Sequence, residues 1–188
     1  GIFISRTMMN ETITIAAHGQ NKEVILPDNS HITLRKGSTL HYPGKFNSKE
    51  RRVRLEGEGF FDVARNEKLP FVIDAGSVDA RVLGTSFNVK AAKQNTEVIV
   101  KSGKVQMSTE MNTHVILEAG DRGMFTRNSL QKDKSLNDNY LYWKTHRVNF
   151  TGIPLYEITE TLGELTDTSV QLMSGLTLKQ KNQLVTIS

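Results

Sequence analysis

Leu55-Glu-Gly-Glu-Gly-Phe-Phe-Asp-Val63, entered through Arg52-Val53-Arg54, is the stretch on which the reading of the chain turns. Val53, Leu55, Phe61 and Val63 fall at alternate positions, as in a strand with one face buried and the other wet. Two glycines interrupt the run, and in a strand they mark a bulge or a close backbone crossing. If the strand were unbroken, Glu56, Glu58 and Asp62 would share a face, with positions i and i+2 about 6.5–7 Å apart. That is near the carboxylate separation of inverting glycosidases, roughly 6.5–9.5 Å. Catalytic carboxylates, however, face each other across a cleft, and Arg52 and Arg54 lie on the same face to neutralise these. Packing and ion pairing are the simpler expectation, and no catalytic residue is assigned.

The alternation continues on both sides. Upstream come Ile13 and Ile15, Val24 and Leu26, and Ile32 and Leu34. Downstream come Phe71 and Ile73, Val78 to Val82, Phe87 and Val89, Val98 and Val100, Val105 and Met107, and Val115 and Leu117. Turn chemistry separates them at Pro27-Asp28-Asn29-Ser30, Ala75-Gly76-Ser77, Ser102-Gly103 and Ala119-Gly120-Asp121. The expectation is a mainly β domain over residues 12–127, with a sandwich, a barrel and a short solenoid all open.

Residues 128–139 are polar and read as a linker. The pattern then changes to a small α/β module over 140–188. Val148 and Phe150 suggest a strand, and Pro154 suits the first turn of a helix. Leu155, Ile158, Leu162 and Leu165 then recur at helical spacing. Gly163 weakens that helix by about 1 kcal/mol relative to alanine. Val170 with Leu172, and Leu184 to Ile187, suggest two further strands. A β-α-β-β unit of this size is expected to be a truncated module or to lean on the first domain.

Composition narrows the class. Of 188 residues 37% are apolar and 23% charged, enough for a core and without a long block of one sign. The net charge of +4 comes from scattered bases. In the densest group, Lys49, Arg51, Arg52 and Arg54, the last two alternate with Val53 and Leu55 as on a solvated strand face, so no nucleic-acid partner is expected. Cysteine is absent, which excludes disulfides, thiolate metal sites and a cysteine nucleophile. No apolar run reaches the roughly 18 residues of a membrane helix. Gly1-Ile-Phe-Ile-Ser-Arg6 is too short for a signal core, so any export signal or membrane segment is expected to precede this chain.

Site chemistry is sparse. His18, His31, His41, His114 and His146 lack metal-motif spacing, and no metal or cofactor is expected. Gly84-Thr85-Ser86 follows a strand but has no lysine and no helix behind it, so it reads as a turn or bulge. Tyr140-Leu-Tyr-Trp143, which holds the lone tryptophan, is either a buried anchor or an exposed platform for sugar stacking. The anchor is the favoured reading.

Taken in order, these motifs resemble the extracytoplasmic part of FecR-type anti-sigma regulators. The resemblance begins with Gly19-Gln20 and Leu26-Pro-Asp-Asn-Ser30, then Leu40-His-Tyr-Pro43 and the Arg52–Val63 stretch. It continues through Pro70-Phe71, Val82-Leu-Gly-Thr-Ser-Phe-Asn-Val89, Lys101-Ser-Gly-Lys-Val105, Leu117-Glu-Ala-Gly120 and Trp143. Asn29 stands where the family commonly has glycine, a substitution that left-handed backbone tolerates. Arg35, Gly59, Phe60 and Asp62 also depart from the usual residues. Gly57, Glu58, Gly84, Thr85, Phe87, Asn88 and Trp143 are the motif positions expected to be structural.

The resemblance implies a non-enzymatic relay. Residues 140–188 look like the start of a module similar to the signalling domain of TonB-dependent receptors. It implies contact with such a domain on an outer-membrane receptor, and passage of the signal to a sigma factor through a cytoplasmic segment absent here. The chain would then be the periplasmic portion of a single-pass inner-membrane protein. Val170, Leu172, Leu184 and Ile187 are the candidate partner-binding residues, where unpaired strand edges suit strand addition. The rival functions are an envelope carbohydrate-binding module using Tyr140, Tyr142 and Trp143, and a glycosidase using Glu56 and Glu58.

Overall fold

The computed structural model describes residues 11–92, 95–135, 138–166 and 184–187. The chain divides into two compact units, Gly1–Ser135 and Leu136–Ser188. In the first unit the strands are β1 Thr12–Ala16, β2 Lys22–Ile25, β3 His31–Leu34, β4 Thr39–Pro43 and β5 Arg51–Asp62. They continue as β6 Phe71–Asp74, β7 Val78–Val82, β8 Ser86–Ala92 and β9 Asn95–Ser102. The last four are β10 Lys104–Thr109, β11 His114–Glu118, β12 Asp121–Thr126 and β13 Ser129–Lys134.

One strand organises the rest. β5 is 12 residues long, and its two halves belong to different layers. Its first half pairs with β4 and, in parallel, with β6. Its second half pairs antiparallel with β3 and β8. One layer therefore runs β1-β4-β5-β6-β7-β10-β11, and the other runs β2-β3-β5-β8-β9-β12-β13. The sheet is continuous through β5, and the apolar core lies between its two arms. Leu40, Val53, Leu55, Ile73, Ala80 and Met107 come from one arm; Ile32, Leu34, Phe61, Phe87, Val89 and Val98 come from the other. Phe61 stacks on Phe87 with ring centroids 5.7 Å apart, and Phe71 tilts against Phe61 at 6.5 Å.

The change of layer happens at Gly57, whose φ of +93° is left-handed. A Cβ there would meet Ser38 Oγ at 2.5 Å and Ser38 Cβ at 2.9 Å. Glycine is thus required twice, by the backbone and by the crossing chain. The two apolar runs at Val53-Leu55 and Phe61-Val63 are one bent strand from Arg51 to Asp62, with Val63 just beyond it.

A buried arginine holds the start of β5. Arg51 is 1% exposed. Its Nη1 donates to Asp28 Oδ2 at 2.6 Å and to the Ala64 carbonyl at 2.8 Å, and its Nε donates to the Leu69 carbonyl at 2.8 Å. The guanidinium also lies over the Phe71 ring, 5.4 Å from its centroid. Asp28 accepts from the Ser30 amide and hydroxyl, and Ser30 Oγ accepts from the Ala64 amide. The Pro27–Ser30 turn is thereby fastened to β5. Asn29 at its tip has φ +63°, so the asparagine occupies a left-handed position.

Three strands are weakly written in the sequence. β4 keeps Leu40 and Tyr42 inside but is short. β12 turns Asp121, Gly123 and Phe125 inward, so its buried positions are not an apolar series. β13 occupies half of the stretch that composition reads as a linker. It pairs with β12 from Asp121↔Lys134 to Thr126↔Ser129. Its turn, Arg127-Asn128, has positive φ at both residues, the geometry of a two-residue hairpin made without glycine. As an edge strand β13 buries little beyond part of Leu130, and its lysines keep the edge polar.

In the second unit a short 3-10 turn, Asn139–Leu141, runs into the helix α1, Tyr142–Thr145. β14 Phe150–Pro154 leads into the helix α2, Leu155–Thr166, and pairs antiparallel with β15 Leu184–Ile187. Pro154 closes the strand rather than opening the helix, and Val148 lies before the strand. Gly163 is inside α2, and Ile158 is 2% exposed. Val170 and Leu172 lie outside the described residues. No helix among the described residues is long and apolar enough to cross a membrane.

Gly57→Ala should destabilise the chain by about 1–3 kcal/mol through backbone strain and the Ser38 collision. Gly76 is also left-handed, at φ +83°, but an added Cβ there meets nothing within 4 Å. Gly76→Ala should therefore cost only the left-handed penalty, about 1 kcal/mol. Urea midpoints of the two variants measure the difference, and equal losses would contradict the crossing at Ser38.

Candidate functional site

The motif residues converge on joints between strands. Glu58 follows the crossing glycine and is 7% exposed. Its Oε2 pairs with Arg35 Nη1 at 2.8 Å, and its Oε1 accepts from Asn88 Nδ2 at 2.9 Å. Its amide donates to Ser38 Oγ at 2.8 Å, and its carbonyl accepts from the Arg35 amide at 2.9 Å. Asn88, on β8, is 1% exposed. Glu58 thus ties β5 to β8 and to the segment between β3 and β4.

Glu56 has a different environment. Its side chain is 57% exposed, and its Oε1 lies 3.1 Å from Arg54 Nη2 and 3.9 Å from His41 Nε2. The open cavity beside it is lined by Leu55, Ala75, Gly76, Ala91 and Ala92, and Glu58 does not reach it. The expectation of a shared face for Glu56, Glu58 and Asp62 fails at Gly57, where the strand bends and sends the first two carboxylates to separate partners. Asp62, at the far end, accepts from the Ser86 hydroxyl at 2.7 Å.

Gly84 and Thr85 make a second joint. A Cβ on Gly84 would lie 2.6 Å from Arg65 Cβ and 2.7 Å from its Cα, so the chain after β5 passes directly against the chain before β8. Thr85 Oγ1 donates to the Lys104 carbonyl at 2.8 Å, and its carbonyl accepts from the Val63 amide at 3.0 Å. Phe87 is fully buried beneath this joint.

Asp121 closes a third. Its side chain is 1% exposed and pairs with Lys132 at 2.8 Å and with Lys134, while its Oδ2 accepts from the Glu118 amide at 2.7 Å. The hydrogen bonds from these two lysines hold its carboxyl well below the usual carboxylate range. Lys132 Nζ also donates to the Ile116 carbonyl at 2.8 Å, linking β13 to the edge of β11. Hydrogen bonding to Arg52 likewise lowers Glu50. Among the described residues no cluster of histidine, aspartate and glutamate could hold a metal ion.

The aromatic cluster is largely inside the second unit. Trp143 is 8% exposed and Leu141 4% exposed, so the lone tryptophan presents no open face. Burial pushes the Tyr140 hydroxyl up to about 12. Tyr142 meets His146 edge to face at 6.2 Å. The anchor reading fits this geometry and the sugar-platform reading does not. Asn139 brackets the unit, donating to the Asn149 carbonyl at 3.0 Å and accepting from its amide at 2.8 Å. Of the candidate partner-binding residues, Leu184 and Ile187 sit on β15, opposite Pro154 and Phe150. Sequence reasoning found Glu58 but not its partner Arg35 across the crossing, because the two are 23 residues apart.

Glu58→Ala should cost about 1–3 kcal/mol, since it strips Arg35 and Asn88 of their acceptor. Glu56→Ala should stay within about 0.5 kcal/mol, as an exposed substitution does. Denaturation of both variants tests the assignment, and a larger loss at Glu56 would reverse it.

The family described as FecR protein matches residues 12–106. Two solved structures are similar to this chain, both of a protein from Parabacteroides distasonis provisionally named as an anti-sigma factor. One is 30% identical with a TM-score of 0.68, covering 82% of this chain and 75% of its own. The other is 27% identical with a TM-score of 0.68, covering 93% and 82%. A comparison with curated proteins found no match. These relatives support an anti-sigma sensor role, a regulatory class rather than an enzymatic one. The joints at Gly57, Glu58, Gly84, Thr85 and Asn88 all fall within the matched residues, and the chain belongs to the FecR protein family.

Proposed function

We propose that this chain is the periplasmic sensor region of a single-pass inner-membrane anti-sigma factor. The signalling domain of a TonB-dependent outer-membrane receptor contacts it, and the signal passes to a cytoplasmic sigma factor through other parts of the parent protein. The working event is protein contact, without turnover and without a cofactor.

The observation that carries the contact site is the β14–β15 pair. Among the described residues, each of these strands pairs only with the other. A strand edge unpaired among the described residues favours an incoming strand, because main-chain hydrogen bonds supply affinity and alternate side chains supply selectivity. Leu184 and Ile187 lie on this pair; Val170 and Leu172, the other candidate residues, lie outside the described residues.

Calorimetric titration of the chain with the N-terminal signalling domain of a receptor encoded beside it should show saturable binding. Chemical-shift mapping of the complex should move amides in Phe150–Pro154 and Leu184–Ile187. Binding that leaves both strands unmoved would refute the site. Absence of binding by this chain and by the complete extracytoplasmic region would refute the relay.

A further inference from the structure

The first unit carries a groove that its own packing does not use. It is open, about 520 Å³ in volume, and lies where the chain crosses between the two arms at Gly84 and Gly103. Four large apolar side chains are exposed among the described residues, and two of them, Leu83 at 42% and Ile116 at 44%, line this groove. Val105, fully buried, forms part of its floor.

The charged residues that line it all have one sign. Arg65, Arg81 and Lys104 line the groove, and no aspartate or glutamate does. Each cation has a counter-ion elsewhere: Glu67 at 2.6 Å from Arg65, Glu50 at 3.1 Å from Arg81 and Glu118 at 2.7 Å from Lys104. The three cationic side chains are 71%, 41% and 70% exposed. Exposed pairs of this kind contribute little, so the cations can exchange onto another carboxylate at small cost.

The floor is fixed in advance. Thr85 Oγ1 bridges to the Lys104 backbone, accepting from its amide at 3.3 Å as well as donating to its carbonyl. A Cβ on Gly103 would lie 2.8 Å from Thr85 Oγ1, so the two crossings are in close contact. A preformed apolar floor with convergent charges around it is the anatomy of a docking site. Ile116 has its carbonyl occupied by Lys132, which leaves side-chain contacts rather than strand addition at that point.

We propose that this groove docks a segment of a partner protein with two apolar side chains flanked by carboxylates. The lining is aliphatic, with no aromatic ring for a sugar to stack on, which favours a polypeptide over an anionic glycan. This surface shares no residue with the β14–β15 pair and does not depend on the receptor reading.

The test uses the whole chain, ¹⁵N-labelled, and the end-capped peptide Glu-Glu-Leu-Gly-Leu-Glu-Glu. Titration should shift the amides of Leu83, Gly84, Gly103 and Ile116, and the shifts should weaken as salt rises. The double variant Arg65→Glu/Lys104→Glu should bind about tenfold more weakly at low salt, as charge reversal makes the rim repulsive. Leu83→Ser should weaken binding with the salt dependence retained. Both changes are at exposed side chains, and unchanged melting confirms that the fold is intact. Shifts confined to other surfaces would overturn the proposal, as would equal binding of a peptide with lysine in place of glutamate. Binding of an oligogalacturonate in the groove where the peptide produces no shift would assign the site to a glycan instead.

Discussion

The fold depends on one strand passing from one layer into the other without a break. At Gly57 β5 adopts a conformation that residues with a side chain rarely take, at a place where Ser38 leaves no room for a Cβ. On one side of that glycine the strand supports β4 and β6, and on the other β3 and β8. Four neighbours therefore take their register from a single segment. A slip of one residue in β5 would turn Val53, Leu55 and Phe61 outward together and expose charge to the core.

Polar joints reinforce this crossing at places where apolar packing alone cannot choose a register. Arg51 fastens the Asp28 turn, Glu58 links Arg35 with Asn88, and Asp121 gathers Lys132 and Lys134. Of these ion pairs, only Arg51–Asp28 is largely buried on both sides, and breaking such a pair on one side costs about 3–5 kcal/mol because the remaining charge has no water. Such joints define geometry more than they add net stability.

Much of this was legible in the sequence because the decisive residues are local. Alternation at Val53-Leu55 and Phe61-Val63 marked both apolar runs of β5, and the glycines between them marked a bulge or a close crossing, which the structure places at Gly57. Asn29 was readable as left-handed from the resemblance, since it stands where the family commonly has glycine. What stayed hidden depends on pairing across the chain. β12 and β13 carry Asp121 and Gly123 inward and lysines outward, so neither shows an apolar period, and their hairpin lacks the usual glycine. The separate partners of Glu56 and Glu58 follow from the bend, which an unbroken-strand reading cannot contain. The groove beside Gly84 is made by two crossings 19 residues apart, Thr85 with Lys104, and has no linear signature.

The central claim is that β5 makes the two arms one cooperative body. Native-state hydrogen exchange measures this at the amides of Val53 and Leu55 on one side of Gly57 and of Phe60 and Phe61 on the other. The account predicts that all of them exchange through the same global opening, with one free energy and one denaturant dependence. Two separate openings, one for the β4–β6 side and another for the β3–β8 side, would contradict it.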